Sequence, residues 1–308
     1  MKIVSLLPSA TELICGIGLR EQLVGVSHEC DYPASVKGLP VLTRSRIPPG
    51  LPSWQIDQMV SDQLRQDAAL YSLELERLIK LEPDLIVTQA LCDVCAVSGN
   101  DVVRALGSLP GDPQVVNLEP TCLQDVLDTV GLVAEAASCK DKGAEYLDEL
   151  TDRIDLVSGR TASIPQSGRP RVAMLDWLDP LFDGGHWCPE IIELAGGLPC
   201  LGEKQTPSRR REWGELIATR PHVIFIALCG FDVERSMKDV EILFSHPEFK
   251  EMWKNVQPRI FLVDGNAYFS RPGPRLVDSL EIMANALHGE VHPLPEGLAP
   301  AIELTPGS

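Results

Sequence analysis

Four cysteines, two histidines and a group of aromatic residues carry most of the chemistry open to this chain. Cys92-Asp93-Val94-Cys95 follows an apolar run and precedes a helical one. A helix N-terminus in that position stabilises a thiolate, the form of cysteine that attacks electrophiles and binds metals. One Cys-x-x-Cys falls short of the four ligands of a structural zinc site. His28, Cys30 and His186 extend the set to five, and Cys188 lies close by in sequence. Imidazole and thiolate together suit a borderline-soft metal. Three readings stay open: satisfied loop and core residues, contacts to a bound molecule, or a dedicated metal or redox site. A neutral imidazole at 28 or 186 could also coordinate the metal of a bound chelate.

A second set points to binding. Trp177, Trp187, Tyr268 and Phe269 offer large flat apolar faces. Arg271 can hold a carboxylate, phosphate or amide by a charge-assisted bond. Pro8, Ser9, His28, Gln89 and Cys92 complete the candidate contacts from the first third of the chain. Nearly all of them stand at or just beyond an apolar run: 3–7, 23–27, 85–89, 171–177 and 260–263. Runs such as 85–88 and 223–228 are apolar on both faces, as in parallel strands covered by helices on each side. Ligands of such sheets sit beyond the carboxyl ends of the strands.

The spacing therefore predicts an α/β protein of two lobes, each a mainly parallel sheet flanked by helices. Between the two sets of strands lies a proline-free run, 123–159, with apolar residues at steps of three and four. It reads as one long backbone helix joining the lobes, with a bend or break expected near Gly131 or Gly143. The expected organisation is an N-terminal α/β lobe over 1–122, a linking helix over 123–163, a C-terminal α/β lobe over 164–288 and an extended tail over 289–308.

Composition removes several function classes. The chain has 308 residues, 44% hydrophobic and 23% charged, with a formal net charge of −17. Such an excess of acid argues against nucleic acid, whose phosphates need clustered Lys and Arg, and against anionic lipid surfaces. No run approaches 18 apolar residues, so no membrane insertion is expected. Met1-Lys2 leads straight into a strand and Pro8, unlike a secretory leader, and nine cysteines without regular spacing fit reduced thiols. The sequence as written reads as cytoplasmic, and as periplasmic or lipid-anchored if residues precede Met1. There is no Walker loop and no Gly-x-Gly-x-x-Gly after a strand.

Leu6-Leu7-Pro8-Ser9-Ala10-Thr11-Glu12-Leu13 resembles the opening of the class III substrate-binding proteins of ABC importers, which carry cobalamin, heme and iron–siderophore complexes. Leu23-Val24-Gly25-Val26-Ser27 with Cys30-Asp31-Tyr32-Pro33 is similar to the cobalamin-binding branch, and Leu81-Glu82-Pro83-Asp84-Leu85-Ile86-Val87 to the family's strand signature. Gly196-Gly197, Ala218-Thr219-Arg220-Pro221 and Arg271-Pro272-Gly273-Pro274-Arg275 match landmarks of its second lobe. The order is kept from Met1 to about His288. An aromatic of the family after the third strand falls at Gln89 and Ala90, and an acidic residue before the arginine falls at Asn266 or Ala267. The resemblance implies two lobes on one long helix, a ligand in the cleft and an ABC permease as partner.

The expected function is non-enzymatic binding of a bulky metal chelate, corrinoid first, in the cleft between two lobes, for uptake, delivery or storage, with no cofactor required. The alternative is a cytosolic thiol- or metal-dependent enzyme built on Cys92, Cys95 and the cleft histidines.

Overall fold

A computed structural model describes residues 1–66, 70–89 and 109–305. The chain divides into two compact units: Met1–Pro120 with Gln124–Glu149, and Thr121–Leu123 with Leu150–Ser308. Both are α/β, as the alternation of strand and helix signals implies.

The first unit contains β1 (Ile3–Ser5), β2 (Leu23–Gly25), the short antiparallel pair β3 (Thr43–Ser45) and β4 (Tyr71–Leu73), and β5 (Leu85–Thr88) and β6 (Gln114–Asn117). Its main sheet runs β2-β1-β5-β6, parallel throughout. Ile3, Val4, Leu85, Ile86 and Val87 are all buried, so both faces of the central strands are covered, which is why these strands read as unbroken apolar runs. The chain leaves β1 toward β2 on one side and reaches β5 on the other. The carboxyl ends of β1 and β5 therefore flank the point where strand order reverses. Pro8 opens the helix Pro8–Gly16, where its missing N–H and fixed φ do no harm.

The second unit holds β7 (Arg171–Leu178), β8 (Leu181–Asp183), β9 (Leu198–Leu201), β10 (Val223–Ile226), β11 (Arg259–Leu262) and β12 (Ile302–Leu304). The sheet runs β12-β11-β10-β7-β8, and β9 pairs with β7. β7, β9, β10 and β11 are mutually parallel, with β8 and β12 antiparallel at the edges. One face is packed by Leu216, Val240, Leu243, Phe249 and Met252 from the helices Trp213–Ala218, Val233–Ser245 and Pro247–Val256. β12 lies in the stretch expected to be a plain extended tail. Its Glu303 carboxylate receives Arg259 Nε at 2.8 Å and Nη2 at 3.1 Å, which pins the strand to the sheet edge.

The expected long helix is present as two, Leu123–Ala136 and Lys140–Thr161. The break falls between the two glycines, where Ser138 takes a left-handed φ of 55°. Neither glycine causes it. Gly131 has open space around it, whereas Gly143 lets the second helix close onto Ala134 of the first. The boundary between units passes inside the 22-residue helix Lys140–Thr161. Its first half belongs to the first unit, where the Tyr146 ring fills the space a side chain at Gly16 would need. Its second half is fastened to the second by Arg153, which donates to Asp278 and Glu281 of the helix Leu276–His288 at 2.5 Å each. Among the described residues no helix is long and apolar enough to cross a membrane.

Candidate functional site

The carboxyl end of β7 delivers Asp176 and Trp177, and the end of β10 runs on to Cys229 and Phe231. The Cys229 N–H donates to the Asp176 carbonyl at 3.0 Å, and the Asn266 N–H to the Phe231 carbonyl at 3.0 Å. Three strand ends thus share one rim of the second unit. There the Trp177 ring lies 4.8 Å from that of Phe231, tilted by 41°. Trp177 is held by its own Nε1–H, donated to the Asp179 carbonyl at 3.0 Å. The Arg235 guanidinium sits 4.1 Å from the Phe231 centroid. Trp177 and Phe231 are both part-exposed, so this rim offers fixed aromatic surface. Beyond β11, Arg271 is 9% exposed and donates to Asn266 Oδ1 at 2.9 Å. Tyr268 is part-exposed, with Arg275 5.7 Å from its ring centroid.

The other two aromatic candidates are placed differently. Trp187 is 6% exposed and gives its Nε1–H to the Phe269 carbonyl at 2.6 Å. Phe269 is 2% exposed, 5.3 Å from the Phe225 ring. A loop bounded by Gly184 and Gly185 suggests exposure, but the glycines serve close packing. A side chain at 184 would meet Met174, and one at 185 the backbone of Thr206 and Ser208. The turn therefore lies flat on the unit and sends Trp187 inward. His186 stacks on Trp187 at 5.2 Å, and its half-burial pushes the imidazole pKa down.

Beneath this rim Asp176 and Cys188 are accompanied by Ser208, which the sequence did not signal. Ser208 Oγ donates to Asp176 Oδ2 at 2.6 Å and accepts the Gly185 N–H at 3.1 Å. Burial pushes the Asp176 carboxyl up to about 7; the Ser208 bond opposes this and the Asp183 charge adds to it. Cys188 is buried, and burial, then the Asp176 and Asp183 carboxyls and Cys229, drive its thiol well above the usual range. That thiol is inert at neutral pH.

In the first unit, Pro8 and Ser9 are buried at the end of β1, and Gln89 is half-buried after β5. Ser9 Oγ and, on the neighbouring strand, Thr88 Oγ1 are buried without a hydrogen-bond partner. His28 follows β2. Its backbone N–H donates to Thr43 Oγ1 at 3.0 Å and its Nδ1 lies 2.6 Å from the same hydroxyl. Its ring stands 5.2 Å from Tyr71, and Nε2 is 3.9 Å from Glu29 Oε1, too far to be bonded. Burial lowers the His28 pKa, with Glu29 working against it. The imidazole is thus kept neutral with one nitrogen oriented and the other open. Thr43 and Tyr71 come from β3 and β4, two strands far apart in sequence that pair with a helix between them, so the sequence carries no sign of this setting. Cys30 is also tied up locally. Ser5 Oγ donates to the Leu7 carbonyl at 2.9 Å, Thr11 Oγ1 lies 2.8 Å from Ser5 Oγ, and Cys30 Sγ is 3.0 Å from Thr11.

Among the described residues no three His, Cys, Asp or Glu side chains come together to hold a metal ion. Cys92 and Cys95 lie outside the described residues.

A family model described as periplasmic binding protein matches residues 3–258. The chain belongs to the periplasmic binding protein family. A vitamin B12-binding protein of Vibrio cholerae serotype O1 is 22% identical over 299 residues, covering 91% of this chain and 86% of that protein. Among solved structures, a periplasmic heme-binding protein from Roseiflexus sp. RS-1 is similar with TM-score 0.69 at 20% identity, over 94% of this chain and 98% of the other. Another from Pseudomonas aeruginosa matches with TM-score 0.71 at 18% identity, over 100% and 99%. The resemblance read from the motifs is borne out, as is the α/β fold it implied. For a periplasmic binding protein, strand-end rims lined by aromatic rings and a few oriented polar groups are surfaces suited to holding a small molecule.

Proposed function

We propose that this protein binds a bulky metal chelate, with a corrinoid as first candidate and heme as second, and hands it to an ABC permease. The observation that carries the reading is the Trp177–Phe231 aromatic surface at the strand ends of the second unit, with Arg271 and Asn266 joined beside it. A flat, largely apolar macrocycle with polar substituents matches that combination, since ring faces stack and a guanidinium grips carboxylate or amide. The relatives named for vitamin B12 and heme support the same ligand class. Pro8, Ser9, Gln89, Tyr268 and His28 are proposed as further contacts, with His28, whose imidazole is oriented through Nδ1, as the one suited to a chelated metal. Trp187 and Phe269 act behind them by fixing the loops that bear the contacts.

The protein performs no chemistry of its own on this reading and needs no resident cofactor. It works on the periplasmic side, as the family and its structural relatives do, in place of the cytoplasmic setting read from the first residues. Equilibrium titration with cyanocobalamin, cobinamide and heme, followed by absorbance and by heat, is the test. Saturable one-site binding of a corrinoid is the expected result. No binding of any of the three at high micromolar concentration ends the proposal, and binding of heme alone removes the corrinoid.

A further inference from the structure

The segment after the last helix is fastened by one histidine. His292 is 2% exposed, although it lies in a stretch of turns. Its Nε2 is 3.1 Å from Thr161 Oγ1 at the end of the helix Lys140–Thr161. Thr161 donates its hydroxyl hydrogen to the Leu194 carbonyl at 2.7 Å. A hydroxyl has one hydrogen, so Thr161 Oγ1 must accept from His292, and His292 Nε2 must carry the proton. Nδ1 is then the bare nitrogen. It is buried and has no hydrogen-bond partner among the described residues. The His292 backbone is held as well: its N–H donates to the His288 carbonyl at 2.9 Å, and its carbonyl accepts from Asn285 Nδ2 at 2.8 Å. His288 in turn sits with Nε2 3.0 Å from the Gly196 carbonyl, its ring centroid 6.5 Å from that of His292.

We propose that His292 is a proton-operated latch: with a neutral ring it holds residues 289–305, including the edge strand β12, against the second unit, and on taking a proton it lets them go. A proton can enter only at Nδ1, where it meets no acceptor, so the imidazolium would be a buried, unsatisfied donor and a buried charge together. The charged groups facing the ring make this worse. Arg160 approaches from the helix Lys140–Thr161 and His288 from the helix Leu276–His288, and both disfavour a cation at 292, as does burial, the largest cause of its lowered pKa. Among the described residues no carboxylate acts on the ring. The latched state therefore binds the proton less well than the released one, and its hold weakens as pH falls below the range of a free histidine. A latch of this kind goes beyond ligand binding, because it governs the order of the segment that leads into the edge strand β12.

Hydrogen exchange of peptides spanning 289–305, corrected for intrinsic rates, at pH 7.5 and pH 5.0 tests it. The expected result is a rise of about threefold or more in segment opening at pH 5.0, with β7 and β10 unchanged. His292→Phe, which cannot titrate, is expected to give the same exchange at both pH values, whatever its absolute level. His288→Gln is expected to keep the pH response. Equal protection of the wild type at both pH values overturns the latch, and so does a response that survives His292→Phe or disappears with His288→Gln.

Discussion

Ser208 Oγ donates to Asp176 Oδ2 at 2.6 Å, yet the carboxyl it serves still titrates near neutrality, at about 7. One hydroxyl does not replace the water lost on burial, and Asp183 adds like charge. The folded carboxyl keeps its proton to about pH 7, while the unfolded chain releases it near pH 4. The stability this group contributes is full below the unfolded value and is lost as pH rises toward 7. Asp176→Asn is expected to remove that slope. Relative to wild type, the variant gains about 2–4 kcal/mol between pH 4 and pH 8. Urea denaturation at both pH values measures the difference, and parallel changes in the two proteins refute it.

Arg153 joins Asp278 and Glu281, whose side chains are 16% and 8% exposed. Burial raises the Asp278 pKa, with Arg153 and more weakly Arg275 pulling it back, so removing Arg153 leaves two largely buried carboxylates close together. Arg153→Ala is expected to cost about 3 kcal/mol, the size seen when one member of a buried ion pair is lost. Adding Asp278→Asn is expected to recover part of that cost, because it removes one of the stranded charges. A fully additive double variant in thermal or chemical denaturation contradicts the account.

The parts legible in the sequence were those with enough residues to show a period. β5 and β10, and the opening strand with its Pro8 helix, are continuous apolar runs and were located to within two or three residues. β3 and β4 have three residues each, too few to show a period. β12 has three residues and becomes a strand only because β11 offers an open edge and Arg259 a partner for Glu303. The same limit applies to the rim. Trp177 was found because it ends an apolar run, whereas Phe231 was missed although it follows one by the same rule. Thr43, Tyr71 and Ser208 carry no signal of their own; chain segments far apart in sequence bring them to His28 and Asp176.

Glycines in the helices divide by what surrounds them. A methyl at Gly143 would collide with Ala134, so Gly143→Ala is expected to destabilise by about 1–3 kcal/mol despite the better helix propensity. Gly131 and Gly159 are exposed helical positions with nothing within 4 Å. Changing either to Ala is expected to stabilise by about 0.5–1 kcal/mol. Opposite signs at 143 and at 131 or 159 are the prediction. Equal signs in denaturation curves would show that propensity, and not the Ala134 contact, decides.

The aromatic rim gives the most direct check on function. Trp177 and Phe231 are in tilted ring contact without being buried, so either can be cut back with little harm to the core. Trp177→Ala and Phe231→Ala are each expected to weaken corrinoid binding about ten- to a hundredfold, the scale of losing a stacked aromatic at a binding surface. Trp187→Ala is expected to act differently. Its indole is buried and bonded to the Phe269 carbonyl, so its loss lowers stability by about 3–5 kcal/mol along with affinity. Isothermal titration beside denaturation separates the two kinds of residue. Normal affinity in both the Trp177 and Phe231 variants would move the ligand off this rim, even if binding itself were confirmed.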